Sequence, residues 1–162
     1  MFPAACSLVA CSNPCPCGRP VGDCRCTEFA KARYARRLSA PLLDRFDLRL
    51  RITGPGAADR PGEDSATVRA RVLEAVDRQR ARFTGTRWRW NREIPAGAIE
   101  QFAGMAPAGL DAWQAVVEDG LLTGRGAARV RRVARTIADL AGTALIEAEH
   151  VVLASSLRQD VP

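Results

Sequence analysis

Residues 54–62 read Gly-Pro-Gly-Ala-Ala-Asp-Arg-Pro-Gly. Two prolines and three glycines in nine residues can continue neither a helix nor a central strand, because Pro lacks an N–H and Gly is entropically costly to order. The run therefore divides the 162 residues into two parts, 1–55 and 64–160, joined by a linker over 56–63. Before it, strand and helix patterns mix; after it, no stretch reads convincingly as a strand. The expected fold class is α+β and mostly α: two strands and a cysteine knuckle, then an all-α domain.

The first part begins with a short apolar run, residues 5–12, bounded by Pro3 and Pro14 and read as a buried strand. Cys6 and Cys11 on it are read as core residues. Asn13-Pro14-Cys15-Pro16-Cys17-Gly18 follows, answered by Cys24-Arg25-Cys26. Pro and Gly between two Cys-x-Cys pairs favour a chain folded back on itself, so Cys15, Cys17, Cys24 and Cys26 can converge as four thiolates on one Zn²⁺. A reduced, metal-free loop is the competing reading, and disulfides come third. Thr27 is an N-cap for a helix over Phe29–Leu38, and Ser39 with Pro41 opens a short second one. Leu48, Leu50 and Ile52 alternate with Arg49 and Arg51, the period of a strand with one wet face.

The second part is a series of helices. Asp64 or Ser65 caps a long one whose Val68, Val72, Ala75 and Val76 form its apolar side, with Arg69, Arg71, Arg78, Arg80 and Arg82 elsewhere. Arg87-Trp88-Arg89-Trp90 suits stacking on bases and pairing with phosphates, or anchors a connecting loop to the body; the anchor is the favoured reading. Ile94–Ala103 and Gly109–Leu122 read as helices. Thr123 caps the next, which runs to Ala141 with Val130, Val133, Ala134, Ile137, Ala138 and Ala141 on its apolar stripe and stops at Gly142. Arg125, Arg129, Arg132 and Thr136 share another face of it. A last helix spans Glu147–Leu157. His150, the only histidine, is read as a surface or packing residue.

The chain has 24 Lys and Arg against 18 Asp and Glu, and Lys31 is its only lysine. The basic surplus sits in residues 1–95, where it is compatible with polyanions such as nucleic acid, and equally with an arginine-favouring genome. No segment approaches a membrane-spanning length. Leu8-Val9-Ala10-Cys11 looks like a lipoprotein cleavage box, yet no Lys or Arg precedes it and the apolar run is too short for a signal peptide. Six cysteines without such a signal point to metal or free thiols in a reducing, cytoplasmic setting and to no membrane partner.

Two further groups have chemical potential. An Asn beyond a strand end, such as Asn13, can orient a water, since its amide both donates and accepts. An Arg ending a helix, such as Arg45 in Leu43-Asp44-Arg45-Phe46-Asp47-Leu48, can reach a neighbouring subunit's nucleotide and offset charge on a transferred phosphoryl group.

Taken in order, these motifs resemble the C-terminal portion of a magnesium-chelatase-like AAA+ ATPase of the ComM/YifB family. The resemblance rests on Leu8 to Gly18, Cys24-Arg25-Cys26-Thr27, Leu42 to Leu48, Arg132 to Gly142 and Ala148-Glu149-His150-Val151, so it covers nearly the whole chain. It implies that the first part is the end of an αβα core and the second the family's helical lid. It further implies Asn13 as the sensor-1 residue, Arg45 as the arginine finger, Arg125 as the sensor-2 arginine, and Arg129 and Arg132 as weaker nucleotide contacts on the lid. ATP would be the cofactor, a ring of like or unlike subunits the assembly, and DNA the target during recombination of incoming strands.

One departure from the family pattern limits this. A P-loop needs Gly-x-x-x-x-Gly-Lys-Ser/Thr, and Lys31 stands between Ala30 and Ala32. No strand ends in the acidic pair of a Walker B motif either. Three readings follow: a truncated ATPase inactive alone, a partner module that lends Arg45 and Arg125 to a P-loop subunit, or a small zinc- and nucleic-acid-binding protein.

Overall fold

The computed structural model describes residues 6–13, 15–19, 21–52, 62–120 and 122–158. Most of the linker expected at 56–63 lies outside them. The chain divides into two compact units, Met1–Arg45 and Phe46–Val161. Mostly helical structure is observed, and no helix is long and apolar enough to cross a membrane among the described residues.

In the first unit, helix α1 spans Glu28–Ala35 and α2 spans Ala40–Leu43. Thr27 caps α1 as its sequence position suggests, its hydroxyl accepting from the Ala30 N–H at 3.2 Å. Helix α1 ends at Ala35, three residues short of the expected Leu38.

The second unit carries α3 (Ser65–Arg82), α4 (Ile99–Phe102), α5 (Pro107–Glu118), α6 (Gly124–Ala141) and α7 (Ala148–Ser156). Helix α6 lies at its centre, packed against α3 and α7, with α5 also on α7. Val130, Ala134 and Ala138 of α6 are fully buried with Ile94, Ile146 and Val151. The ends of α6 follow the sequence: Thr123 accepts from the Gly126 N–H at 3.0 Å, and Gly142 closes the helix with φ of +80°, a conformation Gly adopts freely. His150 is a buried packing residue whose Nδ1 accepts from the Glu147 N–H, a reciprocal cap that starts α7.

Three expectations are corrected. No strand forms at 6–12 or 48–52, and the one backbone bridge among the described residues is the parallel pair Met105–Ile146. A strand pattern needs a neighbour to complete its ladder. Here Leu8, Val9, Leu48, Leu50 and Ile52 are exposed, and the Arg49 N–H instead donates to Leu157 O at the end of α7. Next, the helix expected over Ile94–Ala103 is reduced to one 3-10 turn, Ala96–Ala98, and the short α4, because Pro95 and Gly97 interrupt its start. Finally, Val68 and Val72 do not face the core; α3 buries only Ala75 and Gln79.

Candidate metal centre and lid arginines

The knuckle is shaped by its turn. The Gly18 N–H donates to Cys15 O at 3.2 Å, and Gly18 has φ of +66°, which a residue with a Cβ rarely adopts. A Cβ there would also meet Asn13 Nδ2 at 3.1 Å, so Asn13 lies folded over the turn. The four sulfurs of Cys15, Cys17, Cys24 and Cys26 come within 4.8 Å of one another, with Cys15 to Cys17 at 3.1 Å, Cys15 to Cys24 at 3.3 Å and Cys17 to Cys24 at 3.7 Å. Cys6 and Cys11, expected in a core, are exposed.

These residues fit a tetrahedral metal. Zn–S bonds of about 2.3 Å imply S···S edges of about 3.8 Å, so the three close pairs need only open by tenths of an ångström. The thiols already share protons unequally. Hydrogen bonding from Cys15, helped by the Arg19 backbone, holds the Cys17 thiol down at about 6. The same bond, with that of Cys24, pushes Cys15 up, and the bond with Cys17 pushes Cys26 up. A cluster that favours one thiolate among protonated neighbours is a ready acceptor for a soft cation.

The arginines of α6 have separate fates. Arg132 Nε donates to Ile94 O at 2.8 Å, and burial lowers its basicity. Arg129 faces Asp47, with a closest N···O distance of 3.9 Å. Arg125 is exposed in the first turn and makes no hydrogen bond or ion pair among the described residues. Arg45, also exposed, donates to Pro41 O on the preceding turn.

The sequence reading missed a buried polar hub in the second unit. Asp139 is fully buried and accepts from Arg82 through both carboxylate oxygens, from Asn91 Nδ2 at 2.8 Å and from Arg135 Nη2 at 3.0 Å. Arg135 also donates to Ala144 O and Thr143 O, each at 2.7 Å, and Arg78 donates to Asp139 O at 2.9 Å. Arg78 and Arg82, which the sequence placed away from the apolar side of their helix, thus tie α3 to α6. The readable sign was Arg135 four residues before Asp139 on one helix face.

Residues 62–158 match the family model for the C-terminal part of the magnesium chelatase subunit ChlI, and residues 1–59 the model for magnesium chelatase subunit ChlI. The chain is 38% identical to YifB of Escherichia coli over 168 residues, which covers 97% of this chain and 31% of YifB. It is 37% identical over 164 residues to a Mycobacterium tuberculosis protein, covering 98% and 32% of the two chains. Against competence protein ComM of Haemophilus influenzae the identity is 33% over 164 residues, covering 97% and 31%. The chain thus spans about a third of the length of these relatives. With both segments matched in order and relatives this similar over nearly all of it, the chain belongs to the magnesium-chelatase-like family of YifB and ComM.

Proposed function

We propose that this chain supplies the sensing and lid elements of an AAA+ ATPase, acting on a nucleotide held by a P-loop outside these 162 residues. In this reading Asn13 orients the attacking water, Arg45 reaches a neighbouring subunit's nucleotide as an arginine finger, and Arg125 contacts phosphate from the lid. Arg129 and Arg132 are secondary contacts, since each is already engaged with Asp47 or Ile94 O. The observation that carries the reading is Arg125, an exposed guanidinium on the first turn of an 18-residue helix. There the positive end of the helix dipole adds to its charge and favours an anion. Residues 5–12 and 48–52 would be strands of the core sheet once paired, which accounts for the exposure of Leu8, Val9, Leu50 and Ile52. Hydrolysis in a ring of such subunits would drive remodelling of DNA, in keeping with the similarity to a competence protein.

The test is complementation. The chain is mixed with a P-loop-bearing relative whose own arginine finger has been removed, and ATP hydrolysis is measured. Restored hydrolysis is expected, with Arg45→Ala lowering it by about a thousandfold or more and Arg125→Ala reducing it as well. No restoration by the unaltered chain, or full activity of both variants, would sink the reading.

The converging sulfurs favour a second element, a structural zinc held by Cys15, Cys17, Cys24 and Cys26. Such a metal would fix the knuckle next to Asn13. Metal analysis of purified protein should find about one zinc per chain, and Cys24→Ser should release it. Metal-free protein that keeps an ordered knuckle would refute this assignment.

A further inference from the structure

The turn after α3, residues 84–92, reads Thr-Gly-Thr-Arg-Trp-Arg-Trp-Asn-Arg, with three arginines and no acid. Its backbone is held from the inside. The Thr86 hydroxyl donates to Phe83 O at 2.9 Å and accepts from the Trp88 N–H at 3.1 Å. The Arg89 N–H donates to Glu93 Oε2 at 2.7 Å, and the Asn91 N–H to Gln79 Oε1 at 2.9 Å. Trp88 is the anchor that its sequence position suggests, lying edge-on to Phe83 at 6.3 Å and to Phe102 at 5.1 Å between ring centroids.

The outward side is different in character. The Arg87 and Arg89 side chains are exposed and make no hydrogen bond or ion pair among the described residues, and Arg92 is exposed beside them. Trp90 keeps 36% of its surface exposed. The nearest acid in sequence, Glu93, is committed to the Arg89 backbone and half-buried. A fixed turn that presents the exposed Arg87 and Arg89 cations and one aromatic face has already met the ordering cost that weakens flexible binding loops. Cations alone would suit any polyanion; the aromatic face adds a preference for bases that are not paired.

We propose that residues 87–92 form a binding surface for single-stranded nucleic acid. Arg87 and Arg89 neutralise phosphates, Trp90 stacks on a base and Trp88 holds the turn to the body. The inference rests on the DNA-directed reading above only for its setting; the binding needs neither ATP nor a P-loop. An oligothymidylate of about 20 nucleotides, carrying a fluorescent label, is titrated with the full chain at several salt concentrations. Two phosphate contacts predict a log–log salt slope of about −1.4. Arg87→Ser combined with Arg89→Ser should weaken binding about tenfold or more and remove most of that slope. Trp90→Ala should weaken binding and abolish strand-induced quenching of tryptophan emission. The two arginines are exposed, so the double variant keeps the test open even if Trp90→Ala unfolds. Undiminished binding by the double variant, no binding by the unaltered chain, or displacement of the strand by polyglutamate at equal charge would overturn the proposal. Arg125→Ala should bind the strand normally; if the complementation assay fails while strand binding persists, only the ATPase reading falls.

Discussion

Asp139 is the residue on which the second unit's polar interior depends. Its carboxylate is fully buried and stands against two guanidiniums, those of Arg82 and Arg135, with Asn91 completing its shell. Burial, and to a lesser extent the nearby Arg82 and Arg78 charges, lower the basicity of Arg135, and this cation is tolerated because Asp139 and two backbone carbonyls surround it. Removing the anion leaves two desolvated cations facing each other. Asp139→Ala should cost about 3–5 kcal/mol in urea unfolding. Asp139→Asn, which can still accept hydrogen bonds, should lose less. A loss under about 1 kcal/mol for Asp139→Ala would mean that water or a rearranged Asn91 replaces the carboxylate.

At the scale of elements, helix contact depends on a few points of close approach. Gly109 in α5 is such a point, because a Cβ built on it would lie 2.2 Å from Ile146 O, just ahead of α7. That neighbour is backbone and cannot swing aside. Gly109→Ala should therefore destabilise the protein by about 1–3 kcal/mol. Gly97→Ala, where a Cβ meets nothing within 4 Å, should be close to neutral. Thermal melts of the two variants side by side separate packing from any general effect of replacing glycine. The start of α3 makes a pH-dependent prediction. Asp64 accepts from the Thr67 N–H at 2.7 Å, and that bond depresses its carboxyl pKa. The cap's contribution is then complete above the unfolded carboxylate's pKa of about 3.9 and is lost as pH falls through the lower folded value. Hydrogen-exchange protection of the Thr67 amide should be flat above that point and fall below it, whereas Asp64→Asn should show no such step. Both ends of α6 and its stripe were legible in the sequence, because Thr123, Gly142 and the spacing of Val130, Ala134 and Ala138 are local signals. The fate of α3 was not. Its periodicity marks an apolar face at Val68 and Val72 but cannot say whether anything covers it, and Arg78 and Arg82 read as surface until α6 lies beside them. The knuckle's spacing likewise revealed the four cysteines, while the strands on either side could not be judged without their neighbours.

For the molecule as a whole, the two units are stabilised by different means. The buried apolar cluster, from Phe83 to Ala154, belongs entirely to the second unit. In the first unit the only buried residue described is Cys15; neither α1 nor α2 buries a side chain. A segment of about 45 residues that buries only Cys15 among its described residues needs a staple such as a metal or a bound partner. With the zinc proposed above, the sulfur cluster would be that staple, and binding free energy at such a site is folding free energy for the segment around it. Chelation of zinc-loaded protein should therefore raise amide exchange across residues 15–35 while α6 keeps its protection. Cys15→Ser should do the same without a chelator. If α6 lost protection in step with the knuckle, the two units would unfold as one, and the polar hub around Asp139 would not suffice to hold the second unit. If exchange at 15–35 were already fast with metal bound, the knuckle would not be the staple; a partner pairing with Leu8, Val9 and the segment around them would then have to supply the order.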